Sequence, residues 1–199
     1  MKLVGRYDSP YVRRVGVSLH VLSLPYEHVP LSPFSQAFEF RKYSAIGRMP
    51  ALILDDGETL IESASILDHL DEIVGPERAL IPQAGSERRK SLRILASATA
   101  ACDKAIAINY ERRRAPEMIS GDWIGRCQCQ LNAALSELEA LGLEFGGGQQ
   151  LRQIEITVGC TIAYVKRVEP DAVGSGRYPK LTRLGEGCEA RPQFAVCPQ

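Results

Sequence analysis

Three residues of this 199-residue sequence, Ser9, Glu62 and Ser63, have the types and the places to do chemistry. Ser9 ends the first expected strand and precedes Pro10, a residue suited to the first position of a helix. A hydroxyl there can cap the helix. It can also donate a hydrogen bond to a nearby thiolate. A free thiol with a pKa near ~8.5 is only a few per cent ionised at neutral pH. Making it mostly thiolate takes about two pKa units, roughly 2.7 kcal/mol. One hydrogen bond to a charged group supplies about 1.5–3 kcal/mol, and the helix end adds about 0.3–1. Such a serine would activate a bound thiol electrostatically, without a general base.

The Glu62-Ser63 pair has a different logic. Ser63 precedes Ile66, Leu67, Leu70 and Ile73, an apolar set at helical spacing, and is expected to N-cap that helix. The free N–H groups of a helix start suit a carboxylate, and Glu62 beside them suits an ammonium. Both would fit a ligand that carries these two groups on one carbon. Arg48 is a further candidate for holding ligand carboxylates.

Other reactive residues form no pattern. His20, His28 and His69 make no Ser/His/Asp arrangement and are read as structural. The six cysteines all lie in the second half, none in a CxxC pair, and "CQC" at 127–129 has no histidine at zinc spacing. Cys127 continues an apolar helix face, so buried free thiols in a reducing cytosol are expected, with no metal. The net charge is zero: residues 1–80 carry 8 Lys+Arg against 11 Asp+Glu, and residues 81–199 carry 16 against 13. Such a balance argues against nucleic acid or a membrane surface as a partner. The runs "ERRK" (87–90) and "ERRR" (111–114) read as solvated helix faces. No apolar signal core or membrane-length run is found, so a cytoplasmic protein is expected.

The elements that must position these residues alternate at first. Lys2 to Tyr7 reads as a strand. Val12, Val15, Leu19 and Leu22 mark a helix face that Pro25 ends, and Glu27 to Leu31 is a second strand. A stretch with Phe34, Phe38 and Phe40 suggests a short helix. "ALILDDGETLI" is then a hairpin around Asp55-Asp56-Gly57. The order β-α-β-α-β-β-α predicts a small α/β domain over 1–76. "GPERALIPQAG" (75–85) signals a break, and a linker is placed at 77–86. Residues 87–199 are expected to be all helical: a long helix from Glu87, a stripe of Ile124, Cys127, Leu131, Leu135 and Leu138, a break at "FGGG" (145–148), an apolar helix over Ile154–Val165, and a weak helix over Leu181–Arg191.

In this order and spacing, "YDSPYVRRV" (7–15), "IGRMPAL" (46–52), "DDGETLIESASILDHL" (55–70) and "EITVGCTIAYV" (155–165) resemble the glutathione transferase superfamily, and within it the bacterial Ser-Pro-type proteins. The resemblance covers nearly the whole chain. It implies a thioredoxin-like N-terminal domain, an all-α C-terminal domain and a homodimer. It also implies a cis Met49-Pro50 bond, which would leave the backbone of Met49 open to a peptide-like ligand. Glutathione is then the co-substrate, bound by Ser9, Arg48, Met49, Pro50, Glu62 and Ser63. Ser9 is the catalytic residue, stabilising the thiolate for attack on a small electrophilic, largely apolar co-substrate. Tyr7 is a rival, because some branches use a tyrosine, but the fit of "RRV" favours Ser9. The alternative is a catalytically weak glutathione-binding or protein-interaction member. Isomerisation or peroxide reduction would use the same thiolate.

Three places depart from the family's pattern. Arg152 and Glu155 leave half a capping box where Ser or Thr usually caps the buried helix. Thr99 stands where relatives carry an acid. "LGEGCEARPQF" (184–194) puts two glycines where a firm helix is usual.

Overall fold

The computed structural model describes residues 1–143, 151–174 and 176–199; the break expected at 145–148 lies outside them. Four short strands form one mixed sheet in the order β2-β1-β3-β4: β1 Lys2–Val4, β2 Glu27–Val29, β3 Ala51–Ile53 and β4 Thr59–Ile61. β1 runs parallel to β2 and antiparallel to β3, with Leu3 opposite both His28 and Leu52. β3 and β4 are the predicted hairpin, Leu52 facing Leu60. β1 is shorter than its apolar run suggests. Gly5 at φ +133° turns the chain, and a Cβ there would come within 2.6 Å of Val12 Cγ2. That position needs glycine on both counts. β2 ends at Val29, where Leu31 N bonds back to Val29 O at 2.8 Å.

The helices of this half are α1 (Pro10–Val21), α2 (Ala37–Arg41) and α3 (Ser63–Val74). Val12, Val15, Leu19 and Leu22 are buried, as their spacing predicts. In α2 only Phe40 is buried, while Phe34 and Phe38 are exposed. In α3 Ile66, Leu67 and Leu70 are buried, but Ile73 on the same stripe is exposed.

Beyond residue 84 the described chain is helical: α4 (Gly85–Glu111), α5 (Gly121–Ala140), α6 (Gln153–Val168), α7 (Pro170–Val173), α8 (Pro179–Glu189) and α9 (Pro192–Ala195), with a 3-10 turn at Pro116–Met118. Cys127, Leu131, Leu135 and Leu138 bury the predicted stripe of α5. Central α6 packs on α1, α4 and α8. Its start keeps half a capping box: Glu155 Oε2 accepts from Arg152 N at 2.9 Å, while a guanidinium has no acceptor to return the bond. The weak helix expected at the C-terminus forms as α8, with Leu181, Leu184 and Cys188 buried. Gly185 assists: it lies so close to α6 that a Cβ would sit 3.0 Å from Ile162 Cγ2.

The segment between the halves is anchored. Asp71, 6% exposed, accepts from Leu80 N at 2.7 Å and Ile81 N at 3.1 Å. Leu80 O in turn accepts from Gln153 N at 3.2 Å. All six cysteines are free, five of them buried and Cys129 exposed. No helix among the described residues is long and apolar enough to cross a membrane.

Candidate functional site

Ser9 is the N-cap of α1 and is buried. Its Oγ accepts from Val12 N at 3.5 Å, the outer limit of a hydrogen bond. Tyr7, its rival, faces elsewhere. Its hydroxyl lies 2.6 Å from that of Tyr26, which meets His20 Nε2 at 3.0 Å, and its ring stacks on His28 at 4.0 Å. Burial pushes the Tyr7 phenol above its ordinary range, and the Tyr26 bond pushes the same way. Tyr7 is thereby committed to the interior of the fold.

Glu62 and Ser63 join β4 to α3, and here an expectation is corrected. Ser63 is the first residue of the helix and its side chain caps nothing; the cap position is Glu62, which also makes no side-chain cap bond. Glu62 stands at φ 64°, ψ 128°, an unusual conformation for a residue with a side chain and one that recurs at functional sites. Its carboxylate projects to Arg48 Nη1 at 3.1 Å, with both side chains well exposed. Ser63 is buried, and its Oγ accepts from Arg14 Nε at 3.1 Å and Nη2 at 2.7 Å. A long-range partner has displaced the local cap.

These residues meet at a cavity of about 400 Å³ whose lining includes Arg14, Arg48, Glu62, Ser63, Thr99 and Asp103. It lies between the start of α3, the face of α1 and the side of α4. Thr99 is turned onto its own helix, its Oγ1 bonding Leu95 O at 2.9 Å and Ala96 O at 3.1 Å. Asp103 accepts from the Tyr11 hydroxyl. Ser9, Met49 and Pro50 do not line this cavity. The Met49-Pro50 peptide is cis, and it stands just ahead of β3.

Thus Arg48, Glu62 and Ser63 come together, while Ser9 caps the same helix that carries Arg14 to the cavity. Arg14, Tyr11 and Asp103 were not singled out from sequence. An arginine within the apolar stretch of α1 was the available signal, because buried charges usually have a dedicated partner. Chemically, the cavity offers a hydroxyl backed by a guanidinium, and a carboxylate beside it. That pairing suits an anionic and a cationic group on one ligand. Among the described residues no group of three or more His, Cys, Asp or Glu is placed to hold a metal ion. A larger cavity of about 740 Å³ lies away from this site, between α6, α8 and the C-terminal residues.

Comparison with known proteins gives consistent likenesses. The family pattern described as "Glutathione S-transferase, N-terminal domain" matches residues 3–78. The maleylacetoacetate isomerase of Pseudomonas aeruginosa is 28% identical, covering 98% of this chain and 93% of its own. A glutathione transferase family member from Pseudomonas fluorescens, solved with S-(propanoic acid)-glutathione, is 30% identical with a TM-score of 0.81, over 99% of this chain and 98% of that one. A glutathione S-transferase from Methylobacterium radiotolerans, solved with glutathione sulfonate, is 27% identical with a TM-score of 0.89, over 98% and 93%. The chain belongs to the glutathione S-transferase superfamily, with its thioredoxin-like N-terminal part and helical C-terminal part.

Proposed function

We propose that this glutathione S-transferase binds glutathione through its γ-glutamyl end in the Arg14-Glu62-Ser63 cavity and presents the thiol to Ser9. The carrying observation is that Ser9 and Arg14 sit on one helix, one at its cap and one at the cavity. Five positions of α-helix rise about 7.5 Å. That is on the order of the span from the carboxylate to the thiol of an extended γ-glutamyl-cysteine unit. Ser63 would take the ligand carboxylate and Glu62 its ammonium. Arg48 closes the rim, and the backbone of Met49, ahead of cis Pro50, pairs with the cysteinyl peptide.

Ser9 then stabilises the thiolate by donating its hydroxyl proton as a hydrogen bond, and the thiolate attacks a small electrophilic, largely apolar co-substrate. The Oγ of Ser9 is only loosely engaged by Val12, so it is available to a ligand. The enzyme works as a cytoplasmic homodimer, with the glutathione domain over 1–76, a linker over 77–86 and the helical domain over 87–199. A second use of the same thiolate, glutathione-dependent isomerisation, is favoured by the likeness to maleylacetoacetate isomerase over nearly the full chain.

The test is the ultraviolet thiolate absorbance of glutathione titrated with pH on the purified protein, wild type beside Ser9→Ala. The proposal expects a saturable thiolate signal near neutral pH that fades in the variant. If thiolate appears only where free glutathione ionises, the transferase reading fails. A survey of electrophiles and of isomerisable acids then separates conjugation from isomerisation.

A further inference from the structure

Arg14 is 6% exposed, and among the described residues no carboxylate forms an ion pair with it. Both of its hydrogen bonds, from Nε and Nη2, go to a single atom, Ser63 Oγ. The guanidinium also lies over the Tyr11 ring, 5.5 Å from its centroid, and Tyr11 is fixed in turn by Asp103 and by Thr99 O at 3.3 Å. A cation buried this deeply ordinarily has an anion beside it. Here its hydrogen-bond partner is a neutral hydroxyl at the wall of a cavity, and Asp103, which lines the same cavity and acts on Arg14 through its charge, is bonded instead to the Tyr11 hydroxyl.

The consequence lies in the valence of that hydroxyl. A serine oxygen has two lone pairs and one proton. Arg14 donates to it twice, so both lone pairs are engaged and its O–H is left only the role of donor. We propose that Arg14 is a positioning residue that makes Ser63 a one-way donor, so that the cavity selects an acceptor-only anionic group: the α-carboxylate of glutathione's γ-glutamyl end. An ammonium arriving at the same point meets a donor backed by a positive charge and is rejected, while a neutral amide, whose oxygen can accept the hydroxyl proton, gains less from that charge than a carboxylate does. The neighbouring Glu62 carboxylate reads the ammonium on the same carbon, and the two selections fix the orientation of the γ-glutamyl end. This inference rests on the glutathione reading above.

The test compares two probes by calorimetric titration: glutathione, and 4-aminobutyryl-cysteinylglycine, which is glutathione without its α-carboxylate. Wild type should prefer glutathione by tenfold or more, as expected for a charge-assisted hydrogen bond. In Arg14→Met the preference should fall below threefold, with the affinity for the decarboxylated probe changed by less than twofold. A merely structural arginine would weaken both probes together and leave their ratio unchanged, which overturns the proposal. A wild type that binds both probes equally overturns it directly. Should circular dichroism show Arg14→Met unfolded, Arg14→Gln, which keeps an amide N–H₂ donor group but no charge, is read in the same way. A wild type that binds neither probe removes the glutathione reading and this inference together; binding with an undiminished ratio in the variants removes the inference alone.

Discussion

Arg13 of α1 clasps Glu189 of α8 across 176 residues of chain, its Nη2 donating to Oε2 at 2.8 Å and its Nη1 to Oε1. The arginine is 2% exposed in its side chain and the glutamate 44%, so one end of the pair is dry and the other wet. Arg13 also donates through Nε to Cys197 O at 2.7 Å, drawing the end of the chain onto the first helix. Removing the partner of a fully buried charge costs about 3–5 kcal/mol. Water reaching Glu189 and the carbonyl bond to Cys197 reduce that figure. Glu189→Ala is expected to lose about 2 kcal/mol in urea unfolding, and an unchanged midpoint would show the pair to be incidental.

Ser9→Ala and Tyr7→Phe should separate catalysis from packing. The cap bond at Ser9 is long, so its loss belongs near the lower end of the usual cost, about 0.5 kcal/mol. The thiolate signal of bound glutathione should fade in the same variant. Tyr7→Phe leaves Tyr26 without its 2.6 Å partner and should destabilise by about 1 kcal/mol while the signal persists. The reverse pattern would transfer the role to the tyrosine.

Gly159→Ala sets helix propensity against packing. Alanine gains about 1 kcal/mol in an unconstrained helix. At Gly159, however, the added carbon would lie 2.8 Å from Cys188 Cβ and 2.9 Å from its Sγ. Overpacking of this kind costs about 1–3 kcal/mol, and α8 can yield only by leaving α6. A net loss of about 1 kcal/mol is expected in thermal unfolding; a gain would mean that α8 shifts freely.

The buried thiols make stability fall with alkali. Burial pushes the Cys102 thiol up to about 12, and a hydrogen bond to Thr161 and the charge of Arg14 only partly oppose it. Cys188 is likewise raised to about 12, mainly by burial. These acids are raised in the fold, so the unfolded chain releases its protons first as pH rises. Their contribution is whole below the unfolded value near ~8.5 and is lost progressively towards 12. At pH 10 the loss is about 2 kcal/mol for each thiol. Urea midpoints should fall between pH 8 and 10, and less steeply in Cys102→Ala. In the native state at pH 8, a thiol reagent should modify Cys129 quickly and the five buried cysteines only after unfolding.

The sequence carried what local pattern can carry. The hairpin at 51–61 and the apolar faces of α1 and α5 followed from period and turn chemistry alone. The end of β1 did not, because Gly5 is required by Val12, a contact made only after the chain folds back. Ser63 was misread for a related reason. Local rules made it a cap, while Arg14, 49 residues earlier, claims its oxygen. The binding candidates Arg48, Glu62 and Ser63 were legible because they flank the hairpin, and the structure brings them to one cavity. The α4 residues that complete that cavity were not, since periodicity does not tell which side of a helix meets which partner.

The joint between the two halves has a further meaning. A stretch rich in glycine and proline is ordinarily where a protease enters. Here Leu80 and Ile81 are buried, their N–H groups are tied to Asp71, and Arg78 donates to Leu22 O at the end of α1. A trypsin-like enzyme needs several consecutive residues drawn out straight, and drawing these out means undoing the end of α1 and the start of α6 as well. The place where the chain invites cutting is thus tied into both halves, and cleavage there waits on the opening of the elements that hold it.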